Sequence, residues 1–225
     1  MSKTFVITDI HGCCRSFDSL LGQIGFARGD TLYLLGDYID RGPDSRGVLE
    51  KIIALSKSGH TVQAVLGNHE DMLLKCIDSG DDEDLWQWFD NGGSATLKSY
   101  DIRHPRDIDP LHISFLRGLP VYIKTGTHVF VHAGLNFCLR DPLSPKGRES
   151  MLWQRSATVD SRKIAGRVVV SGHTILTLDE IMESIDTKHV RLDNGCFTAG
   201  RYPGMGSLVA LELETGELFS QEYIG

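Results

Sequence analysis

At 225 residues, with 41% apolar and 24% charged side chains, the chain is long enough for one well-buried domain and too short for two large ones. A formal net charge of −7 disfavours a general nucleic-acid binder, which needs clustered Lys and Arg, but leaves room for a small phosphorylated substrate. No apolar run approaches the roughly 20 residues of a membrane span. No basic and apolar leader precedes the first strand, and the five cysteines form no CxxC pair, so the expectation is a cytoplasmic protein with reduced thiols.

The first apolar, β-branched run, 4–8, ends in Asp9-Ile10-His11-Gly12. Phe17, Leu20, Leu21 and Ile24 then fall at i, i+3, i+4 and i+7, predicting a helix capped by Ser16 and stopped at Gly25. A second run, 32–35, leads into Gly36-Asp37-Tyr38-Ile39-Asp40-Arg41-Gly42, and Val48, Leu49, Ile52, Ile53 and Leu55 predict a helix closing near Ser58-Gly59. The third run, 62–66, meets Gly67-Asn68-His69-Glu70, and a helix from Glu70 carries Met72, Leu73, Cys76 and Ile77 inward. Such alternation implies parallel strands joined by right-handed crossovers.

An acidic stretch, 78–84, reads as a solvated helix start favoured by the helix dipole; the sharper alternative is a substrate-selecting lid. Leu85, Trp86, Trp88 and Phe89 follow, up to Asn91-Gly92-Gly93, and Asp109-Pro110 opens a helix to about Gly118. Residues 121–124 and 128–131 form a hairpin whose second strand ends in His132-Ala133-Gly134. The stretch 140–162, with Pro142 and Pro145, is a long loop with short helical pieces, a length that usually marks function. A fifth run, 168–171, ends in Gly172-His173-Thr174, and a second hairpin, 207–214 with 217–223, closes the chain. With no repeat or linker, residues 1–225 read as a single domain.

Ligands of open α/β sheets bind outside the carboxyl ends of the strands. Asp9 and His11 reach one metal from a strand end, Asp37 is placed to bridge two, and Asn68, His132 and His173 add an oxygen and two nitrogens. Mixed imidazole and oxygen donors suit manganese, iron or zinc better than calcium or magnesium, and metal pairs serve in-line phosphoryl displacement. The remaining histidines lack this setting and receive no role. Cys13-Cys14 reads as helix-start packing.

The first three loops resemble the signature motifs of the phosphoprotein phosphatase family, with His132 and His173 matching its later histidines; the similarity runs from about Thr4 to Gly216. Its compact bacterial and bacteriophage members are of similar length. The resemblance implies a four-layer α/β/β/α sandwich of two mixed sheets flanked by helices, the late hairpins building the second sheet. It implies one metal on Asp9, His11 and Asp37 and another on Asp37, Asn68, His132 and His173, with manganese preferred and iron or zinc as alternatives. His69 becomes the general acid, oriented by Asp40. Arg41, Asn68 and Arg155 (of Leu152-Trp153-Gln154-Arg155) bind the phosphoryl group, and metal-bound hydroxide attacks phosphorus directly. The expected activity is a serine/threonine protein phosphatase that also accepts phosphotyrosine, acting on phosphorylated proteins with no regulatory subunit. The rivals are a symmetrical diadenosine tetraphosphate hydrolase and a small-metabolite phosphatase or phosphodiesterase. The chain's shortness favours the phosphatase, while Leu192-Asp193-Asn194-Gly195-Cys196 fits either group.

Overall fold

The computed structural model describes residues 2–155 and 158–225. The chain opens as β1 (Thr4–Ile7), α1 (Cys14–Gln23), β2 (Thr31–Leu34), α2 (Ser45–Lys57), β3 (Thr61–Ala64) and α3 (Asn68–Ser79). Three helices follow: α4 (Asp82–Asp90), α5 (Gly93–Tyr100) and α6 (Pro110–Arg117). The second half runs β4 (Tyr122–Lys124), β5 (His128–Val131), α7 (Arg148–Trp153), β6 (Val168–Ser171), α8 (Leu178–Ile185), β7 (His189–Arg191), β8 (Ser207–Glu212) and β9 (Leu218–Glu222).

The strands form two mixed sheets, ordered β3-β2-β1-β8-β9 and β4-β5-β6-β7. The five strands that carry the polar loops therefore divide three and two, parallel within each sheet. The terminal hairpin corrects one expectation: it joins the first sheet, with β8 antiparallel to β1, and not the second. The reason is visible in Ser207–Glu212, whose Leu208 and Ala210 enter one core while Val209 and Leu211 enter another. A strand apolar on both faces needs cover on both, which only a central position provides.

Alternation along the strands sorts side chains into layers. Phe5, Ile7, Leu32 and Leu34 pack with Phe17, Leu20, Val48 and Ile52 of the helices. Val6, Tyr33, Val209 and Leu211 meet Phe130, Val170 and Val190 between the sheets. Val129, Val131 and Val169 pack with Met151 of α7 and with Ile164. The result is the α/β/β/α sandwich. Tyr33 and Phe130 tie its two sheets together, their rings stacked with centroids 3.9 Å apart. Phe130→Ala should cost about 3–5 kcal/mol, read as a lower denaturation midpoint at unchanged denaturant slope.

Two helix starts differ from the sequence reading. Cys13, not Ser16, precedes α1; Ser16 lies buried within it and its hydroxyl accepts the Ile224 backbone N–H. α3 begins at Asn68, two residues early, because Glu70 sits at its third position and caps it by bonding back to the Gly67 N–H.

Candidate active site

The loops that leave β1, β2, β3, β5 and β6 meet and are stitched to one another through the backbone. Asp9 N–H donates to Gly36 O, His11 N–H to Asp37 O and Gly172 N–H to His132 O, at 3.2, 2.8 and 2.8 Å. Asp9, His11, Asp37, Asp40, Arg41 and His173 all adopt left-handed backbone, with φ from 45° to 72°. Such a conformation costs about 1–2 kcal/mol per non-glycine residue, and its concentration here marks a site held in place by the surrounding fold. At Gly67 no side chain is admissible, because a Cβ would collide with the Asp37 amide and carboxylate.

Three imidazoles share one arrangement. His11 Nδ1–H donates to Ile39 O (3.0 Å), His132 Nδ1–H to Leu35 O (2.8 Å) and His69 Nδ1–H to the Asp40 carboxylate (2.8 Å). Those bonds fix the tautomers and turn each unprotonated Nε2 inward, that of His11 accepting from the Arg41 guanidinium at 3.0 Å. Around Asp37 Oδ2 they stand 3.4 Å (His11), 3.5 Å (His132) and 3.9 Å (His69) away. His132 Nε2 also lies 2.8 Å from Asn68 Oδ1 and 3.1 Å from His173 Nδ1. Among the described residues two groups are able to hold an ion, His11–Asp37–His69 and Asp37–His132–His173, and Asp37 belongs to both. Asp9 stands outside these triads, its carboxylate accepting the His173 backbone N–H at 3.0 Å.

Electrostatics point the same way. Burial holds His11, His69 and His132 well below the ordinary imidazole value, and His173 at about 4, so all four are neutral at pH 7. Burial pushes Asp9 and Asp37 well above the carboxylate range, reinforced by Asp193 and Glu70 respectively. Unprotonated nitrogens aimed at buried, mutually repelling carboxylates form a cradle suited to cations. The His69 and His173 Nε2 atoms have no hydrogen-bond partner among the described residues.

Behind the cradle, Asp40 is fully buried. Its Oδ2 accepts from His69 and from Trp88 Nε1–H (2.9 Å), and its Oδ1 from the Thr96 hydroxyl (2.6 Å). Burial outweighs these bonds and sets its carboxyl at about 7. The acidic stretch therefore divides: Asp78 and Ser79 end α3, and 82–84 open α4, which exposes Asp82 and Glu83 and turns Trp88 inward to brace Asp40. Trp88→Phe removes a buried hydrogen bond to this carboxyl, worth about 0.5–3 kcal/mol between its neutral and ionised forms. A fall of several degrees in melting temperature and a reduced kcat should accompany it.

Glu70 is a second positioning residue that the sequence reading passed over. Its carboxylate accepts from the backbone N–H groups of Asp37 (2.9 Å), Tyr38 (2.8 Å) and Gly67 (3.0 Å), locking the second loop to the third. Its place three residues after Gly67, the capping-box position, was the available signal. Phe197 is another: Arg41 lies over its ring at 4.5 Å, and its edge meets His11. The cleft above the cradle, about 470 Å³, is lined by Asp37, Arg41, Asn68, Arg155 and His173 among others. All the site residues singled out from sequence thus gather here, with Asp9, His11, Asp40, His69 and His132 in the walls beneath.

Residues 2–193 match the family of calcineurin-like phosphoesterases. The chain belongs to that family. Calcineurin-like phosphoesterases use a dinuclear divalent metal site, and the Asp and His cluster fits one. Symmetrical bis(5'-nucleosyl)-tetraphosphatases of Neisseria gonorrhoeae (strain NCCP11945) and Aromatoleum aromaticum are each 36% identical to this calcineurin-like chain, over 137 and 136 residues. Those matches cover 58% of this chain and 43% and 44% of the relatives, so the matched segment spans less than half of either. A solved structure provisionally described as a diadenosine tetraphosphatase covers 100% of this chain and 95% of its own, with TM-score 0.67 and 24% identity. A cold-active protein-tyrosine phosphatase of a Shewanella species shares the fold, with TM-score 0.62 and 18% identity, over 99% of this chain and 81% of its own.

The sequence relatives overturn the expectation of a serine/threonine protein phosphatase acting on phosphorylated proteins. The physical reason is that in-line attack at phosphorus makes the same demands on metals, acid and arginines whatever the leaving group. The motifs report that chemistry and not the substrate. Chain length, which favoured the phosphatase, carries no such information either. Among the described residues no helix is long and apolar enough to cross a membrane.

Proposed function

We propose that this chain cleaves diadenosine tetraphosphate symmetrically into two molecules of ADP. The observation that carries the reading is its 36% identity to symmetrical bis(5'-nucleosyl)-tetraphosphatases over 137 residues. In it, Asp9, His11 and Asp37 hold one divalent ion, and Asp37, Asn68, His132 and His173 the other. Manganese suits the mixed imidazole and oxygen donors, with iron or zinc the other options. When bound, such ions supply Lewis acidity and lower the pKa of water.

The protein's own groups then bind, orient and move protons. Arg41, Asn68 and Arg155 grip the oxygens of the phosphoryl group under attack. A bond forms between the water oxygen and one central phosphorus, and the bond from that phosphorus to the central bridging oxygen breaks. That oxygen leaves with the second ADP, and His69 Nε2, unprotonated at rest, takes up the proton released by the attacking water and passes it to that oxygen. Asp40 holds the His69 ring through Nδ1 and stabilises its protonated form.

Incubation with diadenosine tetraphosphate and Mn²⁺, with products separated by anion exchange, tests the reading. ADP should be the only nucleotide product. Formation of ATP with AMP, or no nucleotide cleavage while p-nitrophenyl phosphate is still turned over, would overturn it.

A further inference from the structure

The segment that follows Leu192-Asp193-Asn194-Gly195-Cys196 returns to the cleft, and Asn194 fixes its course. The Asn194 side-chain amide donates to Leu176 O (2.8 Å) and Gly204 O (3.0 Å), and its oxygen accepts from the Ser207 N–H (2.9 Å). The Asn194 carbonyl accepts from the Gly206 N–H at 2.8 Å. Inside the loop, the Thr198 hydroxyl donates to Gly195 O (2.7 Å) and the Arg201 N–H to Thr198 O (2.9 Å). Held in this way, the loop places Phe197, Arg201 and Tyr202 along the cleft whose other lining includes Trp153 and Arg155.

Two features of this wall are unused by attack on a single phosphoryl group. Tyr202 and Trp153 are 58% and 37% exposed at the mouth, large aromatic faces left in contact with water. Arg201 is a third guanidinium in a cleft where Arg41 and Arg155 already serve one phosphoryl group, and among the described residues it has no carboxylate partner. Aromatic planes beside a spare cation are complementary to a nucleoside diphosphate, which brings a stacking base and a further phosphate. A fixed loop lowers the ordering cost of such binding.

We propose that Arg201 and Tyr202 form the nucleotide subsite of the cleft, Tyr202 stacking on an adenine and Arg201 binding the phosphate next to the one attacked. The assignment rests on the reading of the chain as a dinucleoside tetraphosphate hydrolase. It separates such substrates from phosphoproteins through residues outside the metal motifs.

The test compares kcat/KM for diadenosine tetraphosphate with that for p-nitrophenyl phosphate, together with inhibition of the latter reaction by ADP and by inorganic phosphate. In Tyr202→Ala the selectivity ratio should fall about 5- to 100-fold, the loss expected for one stacked base. The ADP inhibition constant should rise by a similar factor, with no matching rise for phosphate. Tyr202→Phe, which keeps the ring, should restore both values, and Arg201→Ala should lower the ratio as Tyr202→Ala does. An inhibition constant does not depend on the fraction of active protein, so poor folding cannot imitate the result. Cleavage of the dinucleotide with ratio and ADP inhibition unchanged in both alanine variants would overturn the subsite alone. Absence of dinucleotide cleavage by the wild-type protein, with p-nitrophenyl phosphate turned over, would overturn the functional reading and the subsite with it.

Discussion

Asp37→Asn is expected to strip the protein of its metal pair and to lower kcat beyond the roughly 10- to 100-fold loss typical of an outer-shell partner. Asp37 Oδ2 faces His11, His132 and His69 at 3.4, 3.5 and 3.9 Å, and Asp37 is the residue common to both ion-holding groups. Asparagine keeps the shape, and its amide oxygen can still accept the His69 N–H that Oδ1 accepts now. What disappears is the charge. The stability of the metal-free protein should respond in the opposite sense. Burial raises the folded Asp37 carboxyl above its unfolded value, so the folded state binds more protons there and stability falls as pH rises past about 4. The variant escapes that loss, so at neutral pH it should melt no lower than metal-free wild type. Chelator should lower the melting temperature of the wild type and leave the variant unmoved. Elemental analysis finding two metals per chain in Asp37→Asn would overturn the bridging role.

His69→Asn should lower kcat by about 10²–10⁴-fold where the leaving group is a poor one, the usual range for a lost general acid. His69 Nδ1 is committed to Asp40 at 2.8 Å, and Nε2 lacks a hydrogen-bond partner among the described residues. An alkyl phosphate depends most on protonation of its leaving oxygen. Diadenosine tetraphosphate and p-nitrophenyl phosphate release weakly basic oxygens, so their losses should be smaller. Rates on these three substrates make the comparison. Because His69 also lies in the first ion-holding triad, equal losses on all three would instead make it a metal ligand.

The loops were legible in the sequence because each candidate ligand sits at the end of a strand, where an apolar run stops and a short polar stretch begins. Asp9 and His11, Asp37, Asn68, His132 and His173 all announce themselves by that transition. The supports did not. Trp88 and Thr96 reach Asp40 across 48 and 56 residues of chain, a distance at which no local periodicity operates. The acidic stretch read as a helix start or a lid; its first residues end α3, and only 82–84 begin the helix that braces Asp40. The terminal hairpin read correctly as a hairpin, yet its sheet was decided by the two apolar faces of β8 and the available edge of β1.

By itself the sequence picked out the candidate groups: the Asp, Asn and His side chains placed to attract metals, the histidine placed to carry a proton and the arginines placed to meet a phosphoryl oxygen. These follow from residue type beside a strand end, a local relation that survives any arrangement of the remainder. Only the tertiary structure decided that Phe197, Arg201 and Tyr202 share the cleft with Arg41 and Arg155. Their loop carries no motif of its own. It acquires meaning because Asn194 ties it to Leu176 and Ser207, which places it over a cradle built from the opposite end of the chain. Ligand identity is a property of neighbouring residues, while substrate choice is a property of surfaces that distant segments assemble.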